Sequence, residues 1–288
     1  MPDQHLTFVH MTDLHVNAPG MEDDMLFNDT SATLRRTLAE IARMEERPAF
    51  IIASGDLTNH GEPESYRALK TIIEEAALGI PVIYALGNHD AREGFAEVFA
   101  ELHDDPSKPF DHDRIIDGLH VIVLESAVPG EIGGYWEQGQ IDWLKSRLAD
   151  QPELPKLLVM HHAPNLDPEV TDMEWESLSV AATEELRATI AGANVVGILS
   201  GHIHLDRVSN WYGVPVIVGI GHHAGTDAVA LPGEFNMLDA TGFAFCTLRP
   251  SGLTVTYVQH PQTREVRHRL DMNEILAHIA AQKANAAE

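Results

Sequence analysis

Short apolar runs alternate with amphipathic segments through the first 200 residues, and this alternation limits the possible folds more than any other feature. The segment 31–46 carries Leu34 and Leu38 at helical spacing, so we expect a helix there. Strands separated by helices are typical of an α/β protein, in which helices cover a partly parallel sheet. The predicted strands of this region are residues 6–11, 50–53, 81–86, 156–160 and 195–199.

Two stretches add antiparallel pairing to this pattern. Residues 114–126 hold two β-type runs joined at Asp117-Gly118, which is a hairpin turn signal. Beyond Val214 the chain is again mostly β-type. We therefore predict one mixed α/β domain over residues 1–270, followed by an Ala-rich helical or frayed tail over residues 271–288.

The composition excludes several classes of protein. Lys and Arg total 19 against 44 Asp and Glu, so the formal net charge of the 288 residues is −25. Nucleic-acid polymers and anionic membrane surfaces are attracted by basic patches, so we expect neither as a partner. The 44% hydrophobic content is enough for a sizeable core, and the single cysteine, Cys246, excludes an intramolecular disulfide.

The chain also shows no targeting or membrane signal. Its first residues lack the basic and apolar regions of a secretory signal, and its apolar stretches are shorter than the ~20 residues of a membrane span. We therefore expect a cytoplasmic protein without stable membrane association. We interpret the acidic run at residues 22–24 as a solvated surface.

Polar side chains follow each of the five predicted strands at the point where the strand ends. The carboxyl ends of neighbouring strands in an α/β sheet border one crevice, so these side chains can converge on one site. Mixed oxygen and nitrogen donors suit Mn, Fe, Zn or Co rather than a thiolate-bound structural zinc. The residues are Asp13, His15, Asp56, Asn88, His89, Asp90, His161, His162, His202 and His204.

The number of donors indicates two metal ions rather than one. Even seven ligands among these ten residues exceed what one ion needs if a water position stays open, and one carboxylate can bridge two ions. Two ions roughly 3.5–4 Å apart can activate a water and neutralise both oxygens of an in-line displacement at phosphorus. Each motif alone is weak, since Gly55-Asp56 is an ordinary turn dipeptide. The ordered set of five strand ends is what favours a dinuclear site.

With these blocks in order between residues 13 and 204, the sequence resembles the calcineurin-like metallophosphoesterase superfamily, whose pattern runs D-x-H, G-D, G-N-H-D/E, H and G-H-x-H. The resemblance implies a four-layer α-β-β-α sandwich with two mixed sheets and an active site at the carboxyl ends of the strands. It also implies two divalent ions, bridged by Asp56. One metal would be bound by Asp13, His15 and His204, and the other by Asn88, His161 and His202.

The resemblance also implies roles for residues that do not bind metal. His89 would stabilise the charge of the phosphoryl group and help to protonate the departing alkoxide, and Asp90 would orient His89. One ligand position is ambiguous, because His161 and His162 are adjacent. The resemblance favours His161, with His162 outside the ligand set.

A narrower likeness joins the chain to class III cyclic-nucleotide phosphodiesterases and bacterial glycerophosphodiesterases. It is carried by GDLTNHGEPESYRALKTII at residues 55–73, by Phe27 to Thr30 and by the late G-F-x-x-x-x-L-x-P-S-G-L run. It implies hydrolysis of a small phosphodiester, either a cyclic nucleotide or a glycerophosphodiester, by a homo-oligomer.

Two alternatives stay open at this point. The same site could hydrolyse a phospholipid head group or a nucleotide pyrophosphate, or the chain could be a non-catalytic metal-binding scaffold. The loop at residues 219–225 departs from the relatives and puts the substrate in doubt. Either His222 or His223 could contact a phosphate or head group there, although we favour a surface-loop role for both.

Overall fold

The computed structural model describes residues 5–21 and 23–286, which form a layered α/β fold. Strands alternate with helices as far as residue 200, and strands dominate after it, as predicted. In chain order the elements are β1 (Leu6–Met11), α1 (Thr30–Ala42), β2 (Ile51–Ser54), α2 (Pro63–Ala76), β3 (Val82–Ala85), α3 (Arg92–Val98), β4 (His112–Ile116), β5 (Leu119–Val123), α4 (Gln140–Ala149), β6 (Lys156–Val159), a 3-10 helix (Thr171–Glu176), α5 (Val180–Ile190), β7 (Val195–Ser200), β8 (Arg207–Trp211), β9 (Val214–Val218), β10 (Gly225–Thr226), β11 (Glu234–Leu238), β12 (Gly242–Arg249), β13 (Gly252–Gln259), β14 (Val266–Asp271) and α6 (Met272–Ala286).

Two large mixed sheets account for most of the strands. In the first, ordered β13-β12-β1-β2-β3, strands β1 to β3 are parallel, β12 pairs with β1 in the antiparallel direction, and β13 pairs with β12 in the antiparallel direction. In the second, ordered β4-β5-β6-β7-β9-β8, the four central strands are parallel and β4 and β8 are antiparallel at the edges. The hairpin predicted at Asp117-Gly118 joins β4 to β5. A small antiparallel sheet is ordered β10-β11-β14.

The space between the two large sheets is filled by one apolar cluster. Phe8 of β1 stacks on Phe50, with ring centroids 4.9 Å apart and planes 8° apart, and both side chains are fully buried. Val121 of β5 and Leu157 of β6 enter the same cluster from the second sheet. This packing fixes how the sheets face each other and hence where their strand ends lie.

Helices cover the outer face of each sheet. Leu34 and Leu38 of α1 pack with Tyr66 of α2 against the first sheet. Leu144 of α4 and Leu186 of α5 pack against the second. The order of the layers is therefore α-β-β-α, which confirms the predicted fold class.

The bounds of the helices differ from the sequence prediction. Helix α1 begins at Thr30, because the Ala32 backbone N–H donates a hydrogen bond (2.9 Å) to the capping carboxylate of Asp29. It ends at Ala42, four residues before the predicted end at residue 46. The sequence does not predict α3, because seven residues are too few for a clear apolar period.

The predicted C-terminal tail is helical up to residue 286 in α6. Residues 287 and 288 lie outside the described residues, and the division into a domain at 1–270 and a tail at 271–288 stays a prediction. Of the helices in the described part of the chain, none combines the length and hydropathy needed to cross a membrane.

We expect the Phe8→Ala substitution to lower the free energy of unfolding by about 3–5 kcal/mol, because it leaves a cavity between the two sheets. Urea denaturation followed by circular dichroism measures the change. Val229→Ala is the matched control: Val229 is 84% exposed, so its truncation should change stability by less than about 0.5 kcal/mol. A similar loss in both variants would contradict the central role of this cluster.

Candidate metal centre

The carboxyl ends of strands from both large sheets meet at one place, and the predicted metal ligands lie there. The ligand atoms of Asp13, His15, Asp56 and His204 are all within 4.8 Å of one another. A neighbouring group with the same spacing contains His161, His162 and His202. The first sheet supplies Asp13, His15, Asp56 and Asn88, and the second sheet supplies His161, His202 and His204.

Two carboxylates connect the imidazoles of this centre. Asp56 Oδ2 lies 3.6 Å from His15 Nε2 and 3.2 Å from His161 Nε2. Asp13 Oδ1 lies 3.2 Å from His204 Nε2 and 3.9 Å from His161 Nε2. Asp56 therefore stands between a histidine of each predicted metal, which is the place a bridging ligand needs.

In each of the four histidines proposed as metal ligands, one ring nitrogen donates a hydrogen bond to an oxygen atom. His15 Nδ1 donates to Asn59 Oδ1 (3.0 Å), and His161 Nδ1 donates to the Ser54 carbonyl (3.0 Å). His204 Nδ1 donates to the Ala224 carbonyl (2.9 Å), and His202 uses Nε2 to donate to the Trp175 carbonyl (2.8 Å). An imidazole that donates from one nitrogen keeps a lone pair on the other, which is the tautomer that binds a metal.

The hydrogen bonds distinguish between the two adjacent histidines. Both ring nitrogens of His162 are paired, Nδ1 with Ser126 Oγ (2.9 Å) and Nε2 with the Ile132 carbonyl (2.9 Å). The buried Nε2 of His161 has no hydrogen-bond partner. This arrangement supports His161 as the metal donor and His162 as its structural neighbour.

The main chain at the site adopts an unusual conformation. Asp13, His15, Asp56, His202 and His204 all have φ between +42° and +72°, a region that non-glycine residues rarely occupy. Such residues cost of order 1–3 kcal/mol each and persist only where the surroundings hold them. The His161 ring packs closely against the main chain at residue 55, and this requires a glycine there. A Cβ at Gly55 would lie 2.7 Å from His161 Cγ.

Nearby charges and burial shift the pKa values of the imidazoles of the site in opposite directions. Burial opposes protonation of His161, but the carboxylates of Asp56 and Asp13 outweigh it and raise its pKa to about 9. Burial lowers the pKa of His15 and lowers that of His202 to about 4, so both imidazoles stay neutral at neutral pH. The carboxylates thus favour a cation beside them, and neutral imidazoles are the form that binds a metal.

The residues present fit a pair of divalent metal ions. Asn88 Oδ1, like His161 Nε2, is a buried polar atom without a hydrogen-bond partner in the described structure. Such atoms are costly to bury unless a ligand satisfies them. Carboxylate, carboxamide and imidazole donors together suit Mn, Fe, Zn or Co.

His89 and Asp90 lie beside the ligands, but their contacts differ from the prediction. His89 is exposed, and its Nδ1 donates to the main-chain carbonyl of Asn59 (2.9 Å) rather than to Asp90. The Asp90 carboxylate instead accepts from the backbone N–H groups of Leu57, Thr58 and Gly87 and from the Tyr66 hydroxyl. The expectation that Asp90 orients the His89 ring is corrected: Asp90 joins the loops after β2 and β3, which carry Asp56 and Asn88.

The loop at residues 219–225 also differs from the prediction, because its histidines are buried rather than on the surface. His222 is fully buried, and its Nε2 pairs with Thr37 Oγ1 of α1 (3.0 Å). His223 is 9% exposed, and its ring centroid lies 5.1 Å from that of His15. The sequence draws attention to both histidines but does not predict their burial, since main-chain partners such as the Met25 carbonyl that holds His223 leave no signal in residue types.

Comparison with known proteins identifies the family of this chain. Residues 6–206 match the family model described as calcineurin-like phosphoesterase. The chain belongs to this family. Over 229 residues it is 34% identical to a cAMP/cGMP dual specificity phosphodiesterase of Mycobacterium tuberculosis, a match that covers 75% of this chain and 67% of the relative.

Two further similarities extend this result. A glycerophosphodiester phosphodiesterase of Enterobacter lignolyticus is 26% identical over 164 residues, which cover 55% of this chain and 57% of that protein. The crystal structure of a dimetal phosphatase from Danio rerio superposes with a TM-score of 0.63 at 15% identity, over 94% of this chain and 99% of that one. At this identity the structural likeness concerns the fold alone.

Within this calcineurin-like phosphoesterase, we expect His161→Ala to lose one of two bound ions, because it removes the unpaired Nε2. The variant His162→Gln should keep both ions, since neither ring nitrogen of His162 is free for a metal. Mass spectrometry of the metal content per chain, after reconstitution with Mn²⁺ and gel filtration, measures the difference. Thermal melts check that both variants fold, and equal metal loss in the two would contradict the choice of His161.

Proposed function

We propose that the protein is a dinuclear metal-dependent phosphodiesterase that hydrolyses a small phosphodiester, either a cyclic nucleotide or a glycerophosphodiester. One observation carries the proposal. The Asp56 carboxylate lies within 3.6 Å of imidazoles from two separate donor groups, so one residue can serve two ions. The names of the relatives support a diester as the substrate class.

In this proposal each ion has its own set of donors in addition to Asp56. Bound Mn, Fe, Zn or Co ions would supply Lewis acidity, which lowers the pKa of a water and offsets negative charge at phosphorus. The chain's part is to hold neutral imidazole and ionised carboxylate donors in place. One set is Asp13, His15 and His204, and the other is Asn88, His161 and His202.

His89 is proposed as the residue that donates a proton to the departing alkoxide. A carbonyl oxygen can only accept a hydrogen bond, so the contact with Asn59 places a proton on His89 Nδ1. The second ring nitrogen, Nε2, is then the atom that can gain and release a proton. The His89 backbone N–H donates to Asp56 Oδ1 (2.9 Å), so the main chain of His89 is fixed beside the carboxylate shared by both donor groups.

The other expectations from the sequence are kept here as predictions. They are a cytoplasmic location, the absence of nucleic-acid polymers and of stable membrane association among the partners, and assembly as a homo-oligomer. The acidic net charge of −25 supports the exclusion of polyanions.

A panel of substrates tests the proposed function. The protein reconstituted with Mn²⁺ is assayed with cyclic AMP, glycerophosphocholine, a phospholipid, a nucleotide pyrophosphate, and aryl phosphodiesters and monoesters. We expect hydrolysis of the small diesters with little activity on monoesters. Preference for the phospholipid or the pyrophosphate would replace the proposed substrate class. Stable binding of two ions without hydrolysis of any compound would favour a scaffold.

We expect His89→Ala to keep both metal ions and to lower kcat by about 10²–10⁴-fold on a diester with an alkyl leaving group, because the alkoxide then departs without its proton donor. An aryl diester should lose less, since a phenolate leaves readily without a proton. Steady-state kinetics on both substrates, together with metal analysis, measure these effects. Full turnover of the alkyl diester by the variant would show that His89 has no acid role.

A further inference from the structure

The acidic run at residues 22–24 contains a side chain that is not part of a solvated surface. The side chain of Asp23 is 15% exposed, and its Oδ2 accepts hydrogen bonds from Asn59 Nδ2 (2.7 Å) and His60 Nε2 (2.7 Å). Its Oδ1 accepts from the Met25 backbone N–H (2.7 Å), which lowers the pKa of the Asp23 carboxyl. The expectation of a solvated run is therefore corrected at Asp23, and residue 22 lies outside the described residues.

Asn59, which is held by Asp23, contacts two residues of the candidate active site. Its Oδ1 accepts from His15 Nδ1 (3.0 Å), and its main-chain carbonyl accepts from His89 Nδ1 (2.9 Å). Asn59 itself is 5% exposed. One buried residue thus orients a candidate metal ligand and the candidate proton donor.

The orientation of the Asn59 amide decides which tautomer His15 adopts. A carboxamide has a donor end and an acceptor end, and a carboxylate can only accept. Because Asp23 takes the NH₂ end, the oxygen end must face His15. His15 then carries its proton on Nδ1 and keeps the lone pair of Nε2 for the metal. An amide rotated by 180° would present its NH₂ group to His15 Nδ1 and favour the tautomer that cannot bind.

The segment that carries Asp23 is also attached to the opposite side of the site. His223 Nε2 donates to the Met25 carbonyl (2.8 Å), and Asn28 Nδ2 donates to the carbonyl of His222 (3.0 Å). Phe27 stacks on the His223 ring, with centroids 5.3 Å apart. These contacts hold the segment on the side of His204 while Asp23 holds it on the side of His89.

We propose that Asp23 is a positioning residue of this site that acts by holding Asn59 in place. The fixed side-chain amide of Asn59 makes His15 present Nε2 to the metal. The main-chain carbonyl of Asn59 makes His89 present Nε2 to the leaving group. The part that concerns His89 rests on the proposed function. The part that concerns His15 requires only that the site binds metal.

The Asp23→Ala variant tests this role by two readouts. We expect its affinity for Mn²⁺, measured by competition with a chelator, to fall about tenfold, as is usual when the partner of a ligand is disturbed. At saturating Mn²⁺, kcat on an alkyl diester should fall about tenfold and kcat on an aryl diester clearly less, with KM changed less than about twofold. A change in the ratio of the two kcat values is specific to proton donation to the leaving group.

Two further variants serve as controls. Asp24→Ala removes an exposed carboxylate from the neighbouring position, so metal affinity and kcat should stay as in the wild type. Asp23→Asn keeps the size of the side chain but has one oxygen for two donors, the Met25 backbone N–H and Asn59 Nδ2. Its NH₂ group would then face Asn59 and turn that amide, so we expect Mn²⁺ affinity to fall as it does in Asp23→Ala. Thermal melts of all three variants show whether they fold equally well.

The outcomes separate this role from a merely structural one. Unchanged Mn²⁺ affinity and an unchanged kcat ratio in Asp23→Ala would overturn the proposal, and so would equal losses in Asp24→Ala. An equal loss on both diesters together with a lower melting temperature would also overturn it, since that pattern indicates general destabilisation. If the wild type binds Mn²⁺ but hydrolyses no diester, the proposed function fails, while the Mn²⁺ affinities still decide the role of Asp23 toward His15.

Discussion

The burial of two carboxylates at one place is the constraint on which the rest of the structure depends. Asp13 and Asp56 are each at most 1% exposed, and the charge of Asp56 opposes ionisation of Asp13. Two such charges in a protein interior cost several kcal/mol each unless positive partners compensate. The imidazoles of His161 and His204 lie 3.2 Å from them, and the carboxylates raise the pKa of both rings. A site that favours protons so strongly also favours metal cations.

The fold meets this constraint by forcing the chain into a conformation that it would not adopt freely. The loops after β1 and β2 continue the parallel pairing of their strands, since Asp13 N–H donates to the Gly55 carbonyl (3.0 Å) and His15 N–H to the Asp56 carbonyl (2.9 Å). Asp13, His15 and Asp56 adopt the left-handed conformation in these loops, and their side chains converge at the candidate metal centre. The apolar cluster between the sheets holds the two sets of strand ends together, so packing around Phe8 and Phe50 supports the geometry of the ligands.

The parts of this site that the sequence predicts are those encoded by residue type and position. A strand signal followed by Asp, His or Asn locates a donor at the sheet edge, so the candidate ligands and the mixed α/β class are predictable from the pattern. The four-layer order was implied by the family resemblance. The partners of the ligands are not, because the carbonyls of Ser54, Ala224 and Trp175 belong to any residue type. The contact of Asp23 with Asn59 was not predictable either. A run of acidic residues usually indicates a solvated surface, and only the tertiary fold places Asp23 beside Asn59.

The net charge of −25 and the proposed substrate are compatible for the same electrostatic reason. Two divalent ions would bring four positive charges to a site whose proposed ligands include only two carboxylates, Asp13 and Asp56, so the centre would be locally cationic. Surface charges farther than about 8 Å from it are screened at physiological ionic strength, whereas charges within a buried centre are screened much less. The metal ions would therefore attract a small diester once it comes within a short distance of the centre. A nucleic-acid polymer would have to lay many phosphates along the acidic surface as well, so we expect the charge distribution that accommodates one phosphate to disfavour a chain of them.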